Sequence, residues 1–200
     1  MDLVRTLRFH GGFAAVEFVT FGLRRINSGK LKRKRGLLGC RKATLMTIPL
    51  LCFLLGCVAG LRSLTAPAVV CWAAHFGWLH LTGSKLAFMG HPGTVAFFTL
   101  LAVVELIADK LPKTPPRTAP PGLIARIVFG GLCGVALAIS AGGSLIIAAI
   151  AGVIGALFGT FGGYNIRHAL VVRTHLPDLA VALVEDVIAI AGGFLIVSRL

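Results

Sequence analysis

Apolar stretches of nearly membrane-spanning length recur along this chain. There are six of them, at residues 45–61, 64–81, 93–109, 123–140, 144–161 and 178–197. A membrane-crossing helix needs about 20 mostly apolar residues, whereas a membrane β-strand alternates apolar and polar positions, and these continuous runs rich in Gly and Ala do not alternate. Only 14% of the residues are charged, against about 25% in soluble domains, and the mean hydropathy is +0.90. The sequence therefore predicts an all-α fold, a polytopic transmembrane helical bundle.

The distribution of basic residues bears on how many stretches cross the membrane. If all six cross and the N-terminus is cytoplasmic, the loop 110–117 with its three basic residues faces outward, against the positive-inside rule. If 64–81 instead returns to the face it came from, this loop and residues 167–173 both become cytoplasmic. Pro67 favours a helix break at the start of that stretch. We predict about five crossings plus one broken or re-entrant segment, with the N-terminus cytoplasmic and the C-terminus on the opposite side.

The N-terminal residues carry much of the net charge of +13. Eleven Lys and Arg residues lie in residues 1–42, and nine of them fall between Arg24 and Lys42. Beside a membrane helix such a cluster attracts anionic lipids, by about 1 kcal/mol per basic residue, so we expect lipid and not nucleic acid as its partner. Because Met46 is itself a natural start, residues 1–45 are either a basic, interfacial extension or an artefact of gene-start assignment. The transmembrane domain is assigned to residues 46–200.

Four carboxylates lie within or at the end of apolar stretches, where an ionised side chain costs roughly 2.5–3.5 kcal/mol at the bilayer centre. They are Glu105, Asp109, Glu185 and Asp186. Glu105 and Asp109 are four residues apart and share a helix face. In the predicted topology all four lie at a similar depth near the cytoplasmic side. They are therefore the candidate residues for binding a proton, a cation or a substrate amine.

Basic residues near the same depth are candidate charge partners for these acids. They are Arg62, Lys110, Arg126 and Arg167. Three of them are expected on the cytoplasmic side with the acids, whereas Arg62 is expected on the opposite side unless the broken segment carries it inward. No catalytic residues, metal site or cofactor are predicted, because the histidines and five cysteines show no ligand spacing. The cysteines are interpreted as small packing residues.

Small residues spaced four apart predict close contacts between helices. The spacing occurs at Gly56 and Gly60, at Gly130 and Gly134, and in the series Gly155, Gly159 and Gly163. Such positions let backbones approach closely, so that van der Waals contact holds membrane helices together. We therefore expect a compact bundle. A homo-oligomer is an open alternative to a monomer.

Four sequence strings together resemble a known family. They are Gly60-Leu61-Arg62-Ser63, Glu105-Leu106-Ile107-Ala108-Asp109-Lys110-Leu111-Pro112, Gly162-Gly163-Tyr164-Asn165-Ile166-Arg167, and the segment from Pro177 to Asp186 with its Glu-Asp pair. From about Met46 to the C-terminus the chain is similar to an uncharacterised bacterial membrane family, domain of unknown function 4126. The family typically lacks residues corresponding to 1–45. The resemblance implies a multi-pass protein of the bacterial inner membrane, and it supplies no activity.

Three classes of function follow from these features. The first is a small transporter or channel that uses the four carboxylates to bind protons, a cation or an amine. The second is a structural or assembly protein whose acids form ion pairs that fix helix register. The third is an enzyme acting on lipid phosphates, which the absence of a metal-binding acidic motif and of a nucleophile beside a base disfavours. The sequence favours a protein that is not an enzyme and leaves the first two classes level.

Overall fold

The computed structural model describes residues 47–109, 120–174 and 178–200, and the regular secondary structure of these residues is helical, with no strand among them. Six α-helices occur in this part of the chain: α1 (Thr47–Leu61), α2 (Thr65–His75), α3 (Pro92–Ala108), α4 (Pro120–Ala141), α5 (Leu145–Thr174) and α6 (Asp178–Val197). A short 3₁₀ helix, Ala87–Gly90, precedes α3. The all-helical prediction is confirmed. Residues 1–46, including the basic cluster Arg24–Lys42, lie outside the described residues.

Helices α1, α4 and α5 pack with their backbones in near contact. A Cβ atom added at Gly56 of α1 would collide with the backbone of Gly152 in α5, and one added at Gly159 would collide with the backbone of Cys57. A Cβ atom on Gly130 of α4 would lie 2.8 Å from the carbonyl oxygen of Gly152. Since no side chain larger than hydrogen fits at these crossings, the predicted small-residue contacts are confirmed for these three helices.

The break predicted before Pro67 is present between α1 and α2. Helix α1 ends at Leu61, and α2 begins at Thr65. After the break the chain reverses direction, because the start of α1 and the segment after α2 both contact the C-terminal half of α4. Cys52 Sγ of α1 donates to the carbonyl oxygen of Gly134 at 3.4 Å, and further along the chain the backbone N–H of His80 donates to Ser140 Oγ at 3.0 Å.

All six helices alternate in direction. Helix α4 turns into α5 through Gly142, which has a positive φ of 68°, and α6 runs alongside α2, with Gly193 against Val69. One end of the bundle holds the last residues of α1, α3 and α5 and the first residues of α2, α4 and α6. We call it the acidic end. The start of α1 and the end of α6 therefore lie at the same, opposite end of the bundle.

The path of residues 64–81 differs from the re-entrant path predicted from the sequence. Leu64 contacts Glu105 at the acidic end, whereas His80 contacts Ser140 at the opposite end. The stretch thus leads from one end of the bundle to the other. The physical reason is that the break at Arg62 lets the short helix α2 reverse direction. The number of membrane crossings and the sides on which the two chain ends lie stay predictions.

Three helices are long and apolar enough to cross a membrane by length and composition: Pro120–Ala141, Leu145–Arg173 and Leu179–Val197. Helices α1 and α3 are apolar but shorter than 18 residues. Many large apolar side chains of α5 and α6 point outward, including Ile146, Phe158 and Val187, each at least 66% exposed. Such a surface is stable in lipid and costly in water, so these features indicate an integral membrane protein.

Candidate functional site

The break between α1 and α2 places an arginine inside the bundle. Arg62 follows the last residue of α1, and its backbone N–H donates to the carbonyl oxygen of Val58 at 2.9 Å, which continues the helical pattern by one residue. Its side chain is fully buried, with 0% of its surface exposed. A buried guanidinium is stable only when anionic or polar groups surround it, so its neighbours define the site.

Two carboxylates from different helices pair with Arg62. Its Nη1 atom forms an ion pair with Asp109 Oδ2 at the end of α3, and its Nη2 atom forms an ion pair with Asp186 Oδ1 of α6. Both carboxylates are largely buried, at 17% and 8% side-chain exposure. We call these three residues the Arg62 cluster. One arginine therefore joins the α1–α2 break, α3 and α6 at the acidic end.

Glu105 caps the N-terminus of α2. Its Oε1 atom accepts hydrogen bonds from the backbone N–H of Ser63 at 2.8 Å and from Ser63 Oγ at 2.5 Å, and its Oε2 atom accepts from the backbone N–H of Leu64 at 2.8 Å. Leu64 occupies the N-cap position and has no side-chain acceptor of its own. A carboxylate at a helix N-terminus satisfies unpaired N–H groups and interacts favourably with the helix dipole. Glu105 on α3 thus provides the N-terminal cap of α2 that the Leu64 side chain cannot provide.

Glu185 faces a different neighbour from Asp186. Consecutive residues on a helix point about 100° apart. While Asp186 meets Arg62, Glu185 Oε2 lies 3.8 Å from Arg167 Nη1 of α5. A Cβ atom on Gly163 would lie 2.5 Å from Leu61 Cδ2 and 3.6 Å from Glu185 Oε1, so the glycine makes room for Leu61 beside the carboxylate. The adjacent acids of α6 therefore connect two separate arginines.

The structure brings most of the predicted charged residues to one end of the bundle. Asp109 and Asp186 meet at Arg62, which was expected on the opposite side unless the broken segment carried it inward. Instead, residues 64–81 run from one end of the bundle to the other, so α3 ends beside Arg62. Arg126 is buried near the start of α4, with 5% exposure. Lys110 lies outside the described residues. Ser63 was missed, although a hydroxyl beside a helix start is a recognisable capping signal.

An apolar cleft of about 510 Å³ lies between α5 and α6 near the acidic end. Its walls include the side chains of Ile166, Leu170 and Val184, and the polar residues that line it are Arg167 and Glu185. The cleft was not predicted, because the outward faces of α5 and α6 are apolar throughout and show no local signal for a gap. It lies beside the Arg62 cluster, since Leu61 and Glu185, which both line it, directly precede Arg62 and Asp186 in sequence.

The Arg62 cluster holds helices together, and its chemistry is that of ion pairs. Within the described ranges, no group of three His, Cys, Asp or Glu residues is placed to hold a metal ion. Four cysteines of these ranges are free thiols, and Cys52, Cys71 and Cys133 are fully buried among apolar residues. The buried guanidinium and its two carboxylates join three parts of the chain through ion pairs.

Comparison with known proteins gives one match. No curated protein and no solved structure is significantly similar to the chain. The model of the family described as Domain of unknown function (DUF4126) matches residues 50–198, and this region includes Arg62, Glu105, Asp109 and the Glu185-Asp186 pair. The resemblance stated from the sequence strings is confirmed. The chain belongs to the DUF4126 family, whose description assigns no activity.

Proposed function

We propose that this protein is a small membrane transporter in which the Arg62 cluster takes up and releases a proton or a small cation. The observation that carries the proposal is that two carboxylates of separate helices share one fully buried guanidinium. Ionisable groups inside membrane bundles are costly and commonly belong to proton relays or substrate pathways. A proton or cation that neutralises one of these carboxylates would weaken its attraction to the shared guanidinium, and this is how the cluster would respond to charge uptake.

Charge uptake at the cluster would loosen a specific helix contact. When Asp186 binds a proton, it becomes a weaker partner for Arg62, and Asp109 still balances the arginine charge. The tie between α6 and the α1–α2 break is then weakened, while the tie to α3 is kept. Because the cleft between α5 and α6 lies next to Asp186, movement of α6 would change the width of that cleft. Coupling between charge and helix position is the requirement for ion-driven transport.

Buried polar atoms support access of water to the cluster. Arg62 Nε and Thr65 Oγ1 are buried and have no hydrogen-bond partner within the described part of the chain. Buried polar groups of proteins are nearly always hydrogen-bonded, either to protein or to ordered water. We infer that water molecules satisfy these two atoms. A hydrated cluster can pass protons, whereas a dry ion pair cannot.

The orientation in the membrane follows from the alternating helices and the basic residues. Eleven Lys and Arg residues precede α1, and α1 begins at the end opposite to the acidic end. We propose that this opposite end faces the cytoplasm of a bacterial inner membrane, because the eleven basic residues before α1 outnumber the three of loop 110–117, which this orientation places on the outer side. Maleimide labelling of single cysteines at Lys85 and Arg173, in a variant without the native cysteines, tests this. Both labelled from the same side would contradict it.

Ion flux in reconstituted vesicles tests the proposed activity. The full chain is placed in vesicles with an internal pH-sensitive dye, and a proton, Na⁺ or K⁺ gradient is imposed. We expect the wild type to dissipate one of these gradients, and Asp186→Asn to slow dissipation at least about tenfold, since each protonation step depends on this acid. Lys85→Gln, a neutralised exposed charge far from the cluster, is the control and retains flux. No gradient-dependent flux in a folded wild type would refute the proposal.

A structural role is the second candidate, and one observation favours it. All three hydrogen bonds shown for Glu105 go to the start of α2, so this acid serves the fold directly. If the Arg62 cluster has the same purpose, Asp186→Asn would lower the stability of the bundle. The flux assay separates the two candidates, because a structural role alone predicts this loss of stability in a wild type that dissipates no gradient.

A further inference from the structure

We propose that residues 76–91, which connect α2 to α3, bind the phospholipid headgroup layer at the end of the bundle opposite to the acidic end and prefer anionic headgroups. The side chains assigned to this contact are Phe76, Trp78, Lys85 and Phe88, and we call them the aromatic surface. The inference goes beyond the proposed transport and does not depend on it. It rests on the way the segment is fixed, on its depth and on the distribution of charge.

The segment is folded against the bundle, so its outward side chains have defined positions. Its buried members are at most 3% exposed and belong to the apolar core: Leu79, Leu81 and Met89. The three rings of the aromatic surface are 46–56% exposed: Phe76, Trp78 and Phe88. Exposed aromatic rings are costly in water, and a group of them on an otherwise packed segment marks a contact with a membrane or a partner.

The exposed rings continue the outer surface of α6. The rings of Phe76 and Trp78 lie with centroids 5.8 Å apart, and Trp78 meets Phe194 of α6 edge to face at 6.4 Å. The next residue of that helix, Leu195, is 58% exposed. The row of rings thus joins the apolar face of α6 that we assign to the bilayer. Lipid is the partner indicated, because a soluble partner would have to cover rings that extend onto the bilayer-facing surface.

The segment lies level with the ends of two helices that are long enough to cross a membrane, α4 and α6. Phe194, which contacts Trp78, is in the last turn of α6. The backbone N–H of His80 donates at 3.0 Å to the hydroxyl of Ser140, which is the residue before the end of α4. Spanning helices leave the hydrocarbon region at the headgroup layer, where tryptophan is enriched. Two separate contacts therefore place Trp78 at the depth of the membrane interface.

The charge at this end of the bundle suits anionic headgroups. Lys85 of the segment and Arg199 after α6 are both exposed. Within the ranges that the structure describes, all five acids belong to the acidic end: Glu105, Asp109, Asp178, Glu185 and Asp186. Basic residues near a membrane surface attract anionic lipids, and no carboxylate of the described ranges opposes that attraction here. The aromatic surface therefore combines rings at interface depth with a positive charge.

Fluorescence quenching by brominated phosphatidylcholine tests the depth of Trp78. The chain has two tryptophans, so Trp72→Phe leaves Trp78 alone and Trp78→Phe leaves Trp72 alone. The full chain is reconstituted in vesicles whose lipid is brominated either close to the headgroup or close to the end of the acyl chain. We expect the shallow label to quench Trp78 at least about twofold more than the deep label, since interfacial tryptophan lies at headgroup level.

Trp72 is the matched control for depth. Its Nε1 atom donates to Thr99 Oγ1 at 3.0 Å, and its ring lies 5.2 Å from the ring of Phe76, centroid to centroid. Because these neighbours cover Trp72, both labels should quench it less than Trp78. If Trp72→Phe does not fold, the wild type provides the same test, since its quenching by the shallow label should fall when Trp78 is replaced by Phe.

Brominated phosphatidylglycerol and brominated phosphatidylcholine, each diluted into the other lipid without bromine, measure the headgroup preference around Trp78. We expect phosphatidylglycerol to be preferred. Lys85→Gln should lower this preference about fivefold, the factor expected for one basic residue near an anionic surface. Arg173→Gln, which removes an exposed charge at the acidic end, is the control and should leave the preference unchanged.

Three kinds of result would overturn the proposal. Equal quenching of Trp78 by the shallow and deep labels, or quenching by aqueous iodide alone, would place the segment outside the headgroup layer. A Trp78 shielded from both lipid and iodide would show that a second copy or another protein covers the aromatic surface. An unchanged preference in Lys85→Gln would remove the assigned role of charge. Absence of ion flux in the same vesicles would contradict only the proposed transport.

Discussion

Removal of the Glu105 carboxylate should destabilise the bundle by an amount set by its three hydrogen bonds. Hydrogen bonds between membrane helices contribute about 0.6 kcal/mol each on average, so the three together contribute about 2 kcal/mol. Bonds to an ionised acceptor are roughly twice as strong, which raises the total to about 4 kcal/mol. We therefore expect Glu105→Ala to lower the free energy of unfolding by about 2–4 kcal/mol.

The conservative variant should give an intermediate loss. In Glu105→Gln the amide oxygen can still accept from Ser63, but the amide NH₂ group meets the backbone N–H of Leu64, which is also a donor. We expect about half of the loss in Glu105→Ala. The matched control is Val104→Ala, which shortens a neighbouring side chain that is 52% exposed and should cost less than about 1 kcal/mol.

Unfolding in bicelles, followed by steric trapping or by loss of helical circular dichroism, measures these differences. Hydrogen exchange should localise the effect to the first turn of α2, because the lost bonds cap that turn. The expected order of stability is wild type, Glu105→Gln, then Glu105→Ala. If Glu105→Ala unfolds with the same free energy as Val104→Ala, the carboxylate does not cap α2, and the reasoning is refuted.

Three further variants test other contacts. Gly152→Ala should lower the free energy of unfolding by about 1–3 kcal/mol, because the added methyl group collides with α4. Gly162→Ala on the same helix meets open space and should raise it by up to about 1 kcal/mol. Equal effects of the two variants in thermal unfolding would contradict the packing. Arg62→Met should cost about 3–5 kcal/mol by leaving two buried carboxylates without the guanidinium, and a variant as stable as the wild type in bicelles would argue against the cluster. Thr99→Val should cost about 1 kcal/mol by removing the acceptor 3.0 Å from Trp72 Nε1, and an unchanged tryptophan fluorescence spectrum would count against this bond.

The sequence predicted the helix contacts well because their cause is local. Glycines four residues apart lie on one helix face whatever the rest of the chain does, so Gly56 and Gly60 could be assigned to a crossing before the partner was known. The break before Pro67 is likewise a consequence of nearby residues. The same holds for the shared face of Glu105 and Asp109, whose spacing of one helical turn keeps them together.

The path of the chain could not be predicted in this way. Helix α2 has only 11 residues, and the irregular segment after it gives no hydropathy signal for direction. The re-entrant prediction came from counting charges in loops, and that count does not show whether the chain reverses direction at Arg62. The same reversal moved Arg62 to the acids of α3 and α6. The partner of a buried charge is a long-range property, and spacing within one helix does not encode it.

The distances along the sequence within the Arg62 cluster have a consequence for biosynthesis. Arg62 is synthesised 47 residues before Asp109, and Asp186 follows only in the last helix. Membrane helices enter the bilayer in the order of their synthesis. Arg62 therefore has no acidic partner from these two residues until α3 is complete, and it has only Asp109 until α6 is made. Chains that stop before α6 would retain an incompletely neutralised arginine in the membrane. Quality-control proteases that recognise charged membrane segments would thus find truncated chains more readily than the complete protein.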